Sequence, residues 1–405
     1  MFHNSRPAAD VHSERFIMRV RSCANAVFVM ALPVVVFASC KHSDHITGPL
    51  GSASDTLTTS VIVPGGDGFI CSLTTAGVES CAGYNATGEL GDGTQSGRNV
   101  FTKVADSLRF RTISPGSNYS CALDFAGAAY CWGDNTTGQL GDGTTTLRLV
   151  PTLVSGSLRF ASISAGDQTT CALTAAGSGY CWGTNTFGQL GDGTTIQRNA
   201  PVAVQGGLKF LMLGTGATST CGLVAGGTAY CWGYNGNGQV GDGTTTNRST
   251  PVTVSGGVTF TSVVMGPGHS CGLTVGGAAY CWGVNYSGDI GDGSTTDRLL
   301  PVSVHGGITF ASVASGAKCG LTSTGAAYCW GYNVDGELGD STVINRSTPV
   351  AVHGGLTFSS LNSQGVNTCG ITKDGIRYCW GNNAAHQISS VTVGGGYLVP
   401  QMVTP

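Results

Sequence analysis

The sequence predicts an all-β fold, a seven-bladed β-propeller with four antiparallel strands per blade, and three observations predict it. Fourteen of the sixteen cysteines form seven pairs, each ten residues apart, recurring about every fifty residues. Each repeat holds four short strand-forming stretches separated by turn residues, the pattern of a propeller blade. One glycine sits at the same place between the cysteines of every pair: Gly77, Gly127, Gly177, Gly227, Gly277, Gly325 and Gly375. A fixed period of this length calls for a repeat architecture, not the two or three unrelated domains that 405 residues would otherwise suggest.

Residues 1–40 read as an address. Arg15, Arg19 and Arg21 precede an apolar run from Ala26 to Ala38, interrupted by Pro33. A basic segment, a short apolar run and small residues before a cleavage point make a secretory signal, and the run is too short to span a bilayer. Phe37-Ala38-Ser39-Cys40 resembles a bacterial lipobox, in which the cysteine is lipidated, although Phe37 stands where leucine is usual. Met18 is an alternative start that leaves a compact signal. Residues 41–56 are small and polar and form a flexible tether. The propeller occupies residues 57–405. The expected location is therefore outside the cytoplasm, lipid-anchored at a bacterial cell envelope.

Within one repeat, LRFASIS, TTCALT, SGYCWG and APVAV read as four strands, with the turn-rich NTFGQLGDGTT before the last. The hairpin register follows from the cysteines. If Cys121 faces Cys131, Ala122 faces Tyr130 and Leu123 faces Ala129, leaving Phe125, Ala126 and Gly127 as a three-residue loop. Such a loop needs a left-handed residue in third place, where the glycine stands. Opposed residues lie within disulfide reach. The expected bonds are Cys71–Cys81, Cys121–Cys131, Cys171–Cys181, Cys221–Cys231, Cys271–Cys281, Cys319–Cys329 and Cys369–Cys379. They need an oxidising compartment, which agrees with export. Cys23 falls in the signal and Cys40 is the lipid candidate, so no odd thiol is left. A zinc site lacks the usual Cys-x2-Cys spacing. Trp132, Trp182, Trp232, Trp282, Trp330 and Trp380 share one column and are expected to pack blade against blade. Val399 to Val403 matches the fourth-strand column, and Leu57 to Val63 reads as the strand that would follow it. The expectation is that the two termini pair in one sheet and close the ring.

CWGxNxxGQLGDGTTxxRxxPVxVxGG recurs nearly intact through the middle repeats. It resembles the regulator of chromosome condensation repeat, a seven-bladed propeller family, in an exported bacterial form. Kelch repeats have a similar period but lack the GQLGDGT run. Blade 1 departs, with Ala82 in the tryptophan position, and blade 7 lacks GDGT. The family's eukaryotic founder is a nucleotide-exchange factor that also binds chromatin. An exported chain without a basic arm argues against carrying that over. The resemblance to secreted propellers similar to beta-lactamase-inhibitory proteins implies binding of a protein through one ring face. Fold alone does not give function.

The candidate chemistry divides by column. Asp92, Asp142, Asp192, Asp242, Asp292 and Asp340 are too isolated from other oxygen donors for calcium and read as turn formers. Arg98, Arg148, Arg198, Arg248, Arg298 and Arg346 follow six residues later, placed to pair with them or to bond carbonyls of the next blade. Asp289 and Glu337 would suit an acid/base pair, but Gln139, Gln189 and Gln239 in the same column point to hydrogen bonding at a blade edge. His305 and His353 lack further metal ligands and read as turn histidines. Recognition is expected where columns vary. One such column is Phe69, Tyr119, Thr169, Ser219, His269, Ala317 and Asn367; another is Tyr84, Asp134, Thr184, Tyr234, Val284, Tyr332 and Asn382; Phe187 and Tyr286 add aromatics. Tyr84, Tyr119, Phe187, Tyr234, His269, Tyr286 and Tyr332 are the candidate binding residues, since aromatics on a rigid ring anchor interfaces.

Only 10% of residues are charged and the net charge is −3, so no basic footprint for nucleic acid is expected. The sequence thus predicts a monomeric protein- or glycan-binding module that meets a membrane only through its lipid, with no cofactor and no metal. The alternatives are an envelope enzyme, a lyase or hydrolase with its site at the central channel mouth, and an inert surface scaffold. No catalytic constellation is visible.

Overall fold

The computed structural model describes residues 59–404 except 67, 106, 315, 317 and 390–395. The signal, Met18, Cys23, Cys40, the tether and residues 57–58 lie outside the described residues, as does Ala317. The described residues form 28 strands in seven four-stranded antiparallel sheets and no helix. Blade 1 consists of β1 (Thr59–Pro64), β2 (Phe69–Thr74), β3 (Glu79–Gly83) and β4 (Arg98–Lys103), paired in chain order. Blades 2 to 7 follow as residues 110–153, 160–203, 210–253, 262–303, 312–351 and 358–402.

The hairpin register is the expected one. Cys121 pairs with Cys131, Ala122 with Tyr130 and Leu123 with Ala129, and Gly127 N donates to Asp124 O across the turn. The seven loop glycines have φ between 76° and 90°, a region that L side chains rarely enter. At Gly127 a Cβ would also stand 2.8 Å from Phe160 O of the next blade. All seven cysteine pairs are bonded within their own blades.

Ring closure is not as expected. β1 pairs with β2, and the last strand (Gly396–Met402) pairs with the third strand of blade 7. Each blade is a continuous meander, so no strand is left over to be shared between the termini. Blade 7 meets blade 1 by packing. Ile62 and Ile70 share a buried cluster with Cys369, Ile371, Cys379, Ile388 and Val403, and Asn362 Nδ2 donates to Ile62 O at 2.9 Å.

The tryptophans pack between blades, as expected. All six are fully buried, and each indole N–H donates to a carbonyl of the preceding blade, as in Trp182 to Gln139 O at 2.9 Å. Thr170 Oγ1, paired opposite Trp182, donates to that same carbonyl at 2.8 Å. In blade 1 this polar couple becomes Ile70 opposite Ala82. The departure at position 82 therefore goes with an apolar seam between blades 7 and 1.

The long connection between third and fourth strands is held by one buried asparagine. Asn135 Nδ2 donates to Asp142 Oδ1, Thr144 O and Thr146 O, while its Oδ1 accepts Leu140 N. Asp142 Oδ1 also accepts Thr144 N and Oγ1, and its Oδ2 takes Arg148 Nε at 2.7 Å. The same Asp–Arg ion pair recurs in blades 1 to 6. Both carboxylate oxygens receive protein donors, which is the turn-forming role and not a cation cage.

These pairs give an acid-sensitive term. Burial alone would raise the aspartate pKa values, but hydrogen bonds from Thr144 and Arg148 outweigh it and hold Asp142 below its usual range; the equivalents in the other five blades behave alike. A carboxyl depressed by folding contributes stability above its unfolded pKa, about 3.9, and loses it as pH falls through the lower folded value. The destabilisation caused by Asp142→Asn, read from urea midpoints, is therefore expected to be constant above about pH 5 and to shrink below about pH 4. A penalty that stayed constant to low pH would contradict the pairing.

Candidate functional site

Strand direction sorts the ring into two faces. Connections between the first and second strands, and between the third and fourth, lie on one face, here called upper. The hairpin turns and the blade-to-blade links lie on the lower face. The first strands line a central cavity of about 540 Å³, whose walls include Val63, Ile113, Ser164, Thr215, Val264 and Gln364.

The upper face carries most of the candidate aromatics. Tyr84 and Tyr286 are exposed, at 45% and 69%, and Phe187, Tyr234 and Tyr332 are half-buried. They are brought together across blades. Phe187 of blade 3 packs against Tyr234 of blade 4 with ring centroids 4.9 Å apart and the rings tilted by 59°. Asn237 of blade 4 donates to Tyr286 Oη of blade 5 at 2.7 Å and to Asp297 Oδ2 at 2.8 Å. In blade 6, Lys318 Nζ lies 5.9 Å from the centre of the Tyr332 ring. Asp134, Asp167, Asp297 and Asp335 are interspersed in the same upper loops, each half-buried.

Two candidates are corrected. Tyr119 and His269 are 0% and 4% exposed, so they cannot present a surface. Tyr119 Oη donates to Thr169 O of blade 3 and accepts Thr170 Oγ1, and burial raises its pKa. The column varies because each second strand is packed between neighbouring blades, and each blade boundary settles its own fit. Phe69, Thr169, Ser219 and Asn367 are buried as well.

Asp289 and Glu337 have capping roles. Asp289 Oδ1 accepts Tyr332 N of the next blade at 3.1 Å. Glu337 Oε2 accepts Asp335 N at 2.9 Å, the bond that Gln189 and Gln239 make in their own loops. The hydrogen-bonding reading of the column thus matches the geometry. Glu337 Oε1 is buried without a hydrogen-bond partner, and burial, opposed by Lys318, pushes the carboxyl up to about 7. Lys318 is a site residue that the sequence reading missed. It lines the central cavity and donates to Gly365 O at 2.9 Å. The available signal was the first-strand connection of blade 6, where the period drops from fifty to forty-eight between Cys271 and Cys319. His305 and His353 stand exposed in lower-face links.

Residues 126–173, 176–223 and 226–273 match the regulator of chromosome condensation (RCC1) repeat, and residues 110–139, 160–189 and 260–289 match a second description of that repeat. No curated protein is matched in sequence. Among solved structures, human WBSCR16 is 18% identical, with TM-score 0.71 over 80% of this chain and 92% of that one. Prp20p from Saccharomyces cerevisiae, described with its binding properties to Gsp1p and histones, is 20% identical, with TM-score 0.72 over 82% and 87%. The ectodomain of the Physcomitrella patens receptor kinase CR4 is 24% identical, with TM-score 0.53 over 80% and 74%. These likenesses concern the fold. With the repeat motif, the seven blades and the six Asp–Arg loops in agreement, the chain carries repeats of the regulator of chromosome condensation (RCC1) family.

Proposed function

We propose that this propeller is a binding module that engages a protein through its upper face, exported and lipid-anchored through Cys40 at a bacterial cell envelope. The observation that carries the binding reading is the aromatic arc across blades 3 to 6, formed by Phe187, Tyr234, Tyr286 and Tyr332. Tyrosines held on rigid loops bury large areas at little entropic cost, which is why they anchor interfaces. The aspartates between them favour a partner that offers lysine or arginine. Yeast Prp20, a similar ring, is described bound to Kap60, which supports a protein as the class of ligand.

The test is capture from envelope extract with residues 41–405, comparing wild type with Tyr234→Ala/Tyr286→Ala/Tyr332→Ala. A partner held by wild type should bind the triple variant at least tenfold more weakly, since anchor residues typically contribute ~2 kcal/mol each. Equal capture by both proteins would overturn the aromatic face as the site. In the producing cells, Cys40→Ala should release the chain from membranes washed in high salt, which weakens electrostatic contacts of the ring, and retention after that wash would count against the anchor.

A further inference from the structure

The two faces carry opposite charge. Acids dominate the upper loops, whereas Lys103, Arg109, Arg111, Arg159, Lys209 and Lys373 all lie on the lower face, and all six are exposed. Connectivity fixes the placement. Lys103 ends the fourth strand of blade 1, and Arg111 begins blade 2. Arg109, Arg159 and Lys209 occupy one column of three successive blade-to-blade links, and Lys373 sits in the hairpin turn of blade 7. The charges therefore form a crescent over five consecutive blades, from 7 through 1 to 4. In the remaining links the same column is Thr259, Thr309 and Thr357.

Among the described residues these charges have no acidic partner. Every ion pair among the described residues belongs to the upper Asp–Arg loops. The lower-face cations make contacts with neutral acceptors: Arg109 with Leu108 O, Arg111 with Phe160 O, Lys209 with Ser178 Oγ and Lys373 with Thr324 O. The described acids on this face are engaged elsewhere, and Asp106, between Lys103 and Arg109 in the chain, lies outside the described residues. Asp124 Oδ1 accepts Ala128 N in its own turn, Asp374 accepts the Thr372 hydroxyl, and Glu79 is buried.

Two further observations select the occupant. Apolar side chains protrude among the cations: Phe125 at the tip of the blade 2 hairpin is 64% exposed, and Leu211, two residues beyond Lys209, is 69% exposed. Basic residues around protruding apolar tips suit the headgroup boundary of a bilayer, where the cations meet lipid phosphates and the tips enter the acyl edge. The chain also arrives on this face, because Thr59 at the start of β1 pairs with Thr74 beside the lower hairpin turn.

We propose that the lower face is a docking surface for an anionic phospholipid bilayer, with Arg109, Arg159 and Lys209 as its electrostatic contacts and Phe125 and Leu211 as shallow insertions. Membrane contact is then made by the folded ring itself, beyond any lipid on Cys40, and it leaves the upper face pointing outward. The inference does not depend on the aromatic arc, and only the entry of the chain on this face draws on the proposed anchor at Cys40.

The test uses residues 41–405, since residues 55–405 form one compact unit with all seven disulfides and cores inside it. The protein is sedimented with phosphatidylcholine vesicles, with and without phosphatidylglycerol, and is separately applied to heparin as a soluble polyanion. Binding is expected only with phosphatidylglycerol and should weaken with salt. Each cation near an anionic surface is worth roughly fivefold in affinity, so Arg109→Glu/Arg159→Glu/Lys209→Glu should lose at least about a hundredfold. Phe125→Ser/Leu211→Ser should weaken vesicle binding while leaving heparin retention unchanged. These are exposed positions, and an unchanged thermal midpoint shows that the ring is intact. Absence of binding to phosphatidylglycerol vesicles, or undiminished binding by the charge-reversed variant, would overturn the proposal. Strong heparin retention without vesicle binding would also overturn it, in favour of a polyanionic macromolecule.

Discussion

Replacing Trp232 by alanine is expected to lower the stability of the ring by ~3–5 kcal/mol, the range for removing a large aromatic side chain from a close-packed core. The indole is fully buried and its ring centre lies 5.8 Å from that of Phe210. Its N–H donates to Gln189 O of blade 3 at 3.0 Å. Its contact with blade 3 is so close that a Cβ on Gly191 would stand 2.7 Å from the indole nitrogen. Collapse around the cavity would require moving the loop that Asn185 pins through Asp192, Thr194 O and Ile196 O. Denaturant unfolding of residues 41–405 under oxidising conditions measures the loss. A change below about 1 kcal/mol would mean that the boundary relaxes freely and that the indole column is not what joins the blades. Blade 1 shows that alanine is tolerated only with partners to match: Ala82 stands beside Ile70, and Ile62, Ile371, Ile388 and Val403 fill the seam.

Much of this was legible because the repeat reports the same physics seven times. The cysteine spacing and Gly127 gave independent statements of one hairpin register, and they agreed. The aspartate and arginine six residues apart faced each other as one of the two anticipated arrangements. The errors have definite causes. Pairing of the termini was inferred by treating Leu57 to Val63 as a missing continuation of blade 7, when Thr59–Pro64 is the first strand of blade 1. Tyr119 and His269 were placed on the surface because their column varies. A strand packed on both sides also varies, since each blade boundary needs its own filling, and a single sequence does not separate these cases. The neighbours Phe187 and Tyr234, or Asn237 and Tyr286, are about fifty residues apart and meet only through curvature of the ring. The column Arg109, Arg159 and Lys209 was visible in sequence but acquired meaning only when the strand directions put it beside Phe125 and Leu211 on one face.

The seven disulfides lead to the largest expected effect. Each joins the second and third strands of its blade with Cα atoms 4.1 Å apart and closes a loop whose ends are ten residues apart. A loop of that length, left open in the unfolded chain, is worth ~2–3 kcal/mol, so Cys171→Ala/Cys181→Ala should cost about that much. The bonds belong to separate hairpins, so their losses add approximately. Removing all seven costs on the order of 15 kcal/mol, as much as the whole net stability of a typical folded protein. The chain denatured with reductant and diluted into native buffer with reductant kept present is therefore expected to stay unfolded, whereas the oxidised chain refolds. The sulfurs are buried at every hairpin, so the native ring should resist reductant until denaturant opens it, and the two treatments should give different outcomes at the same final conditions. Recovery of native near-UV circular dichroism by the fully reduced chain would show that the blade cores suffice alone. An oxidising environment would then be a convenience of the fold, whereas the loop arithmetic makes it a requirement.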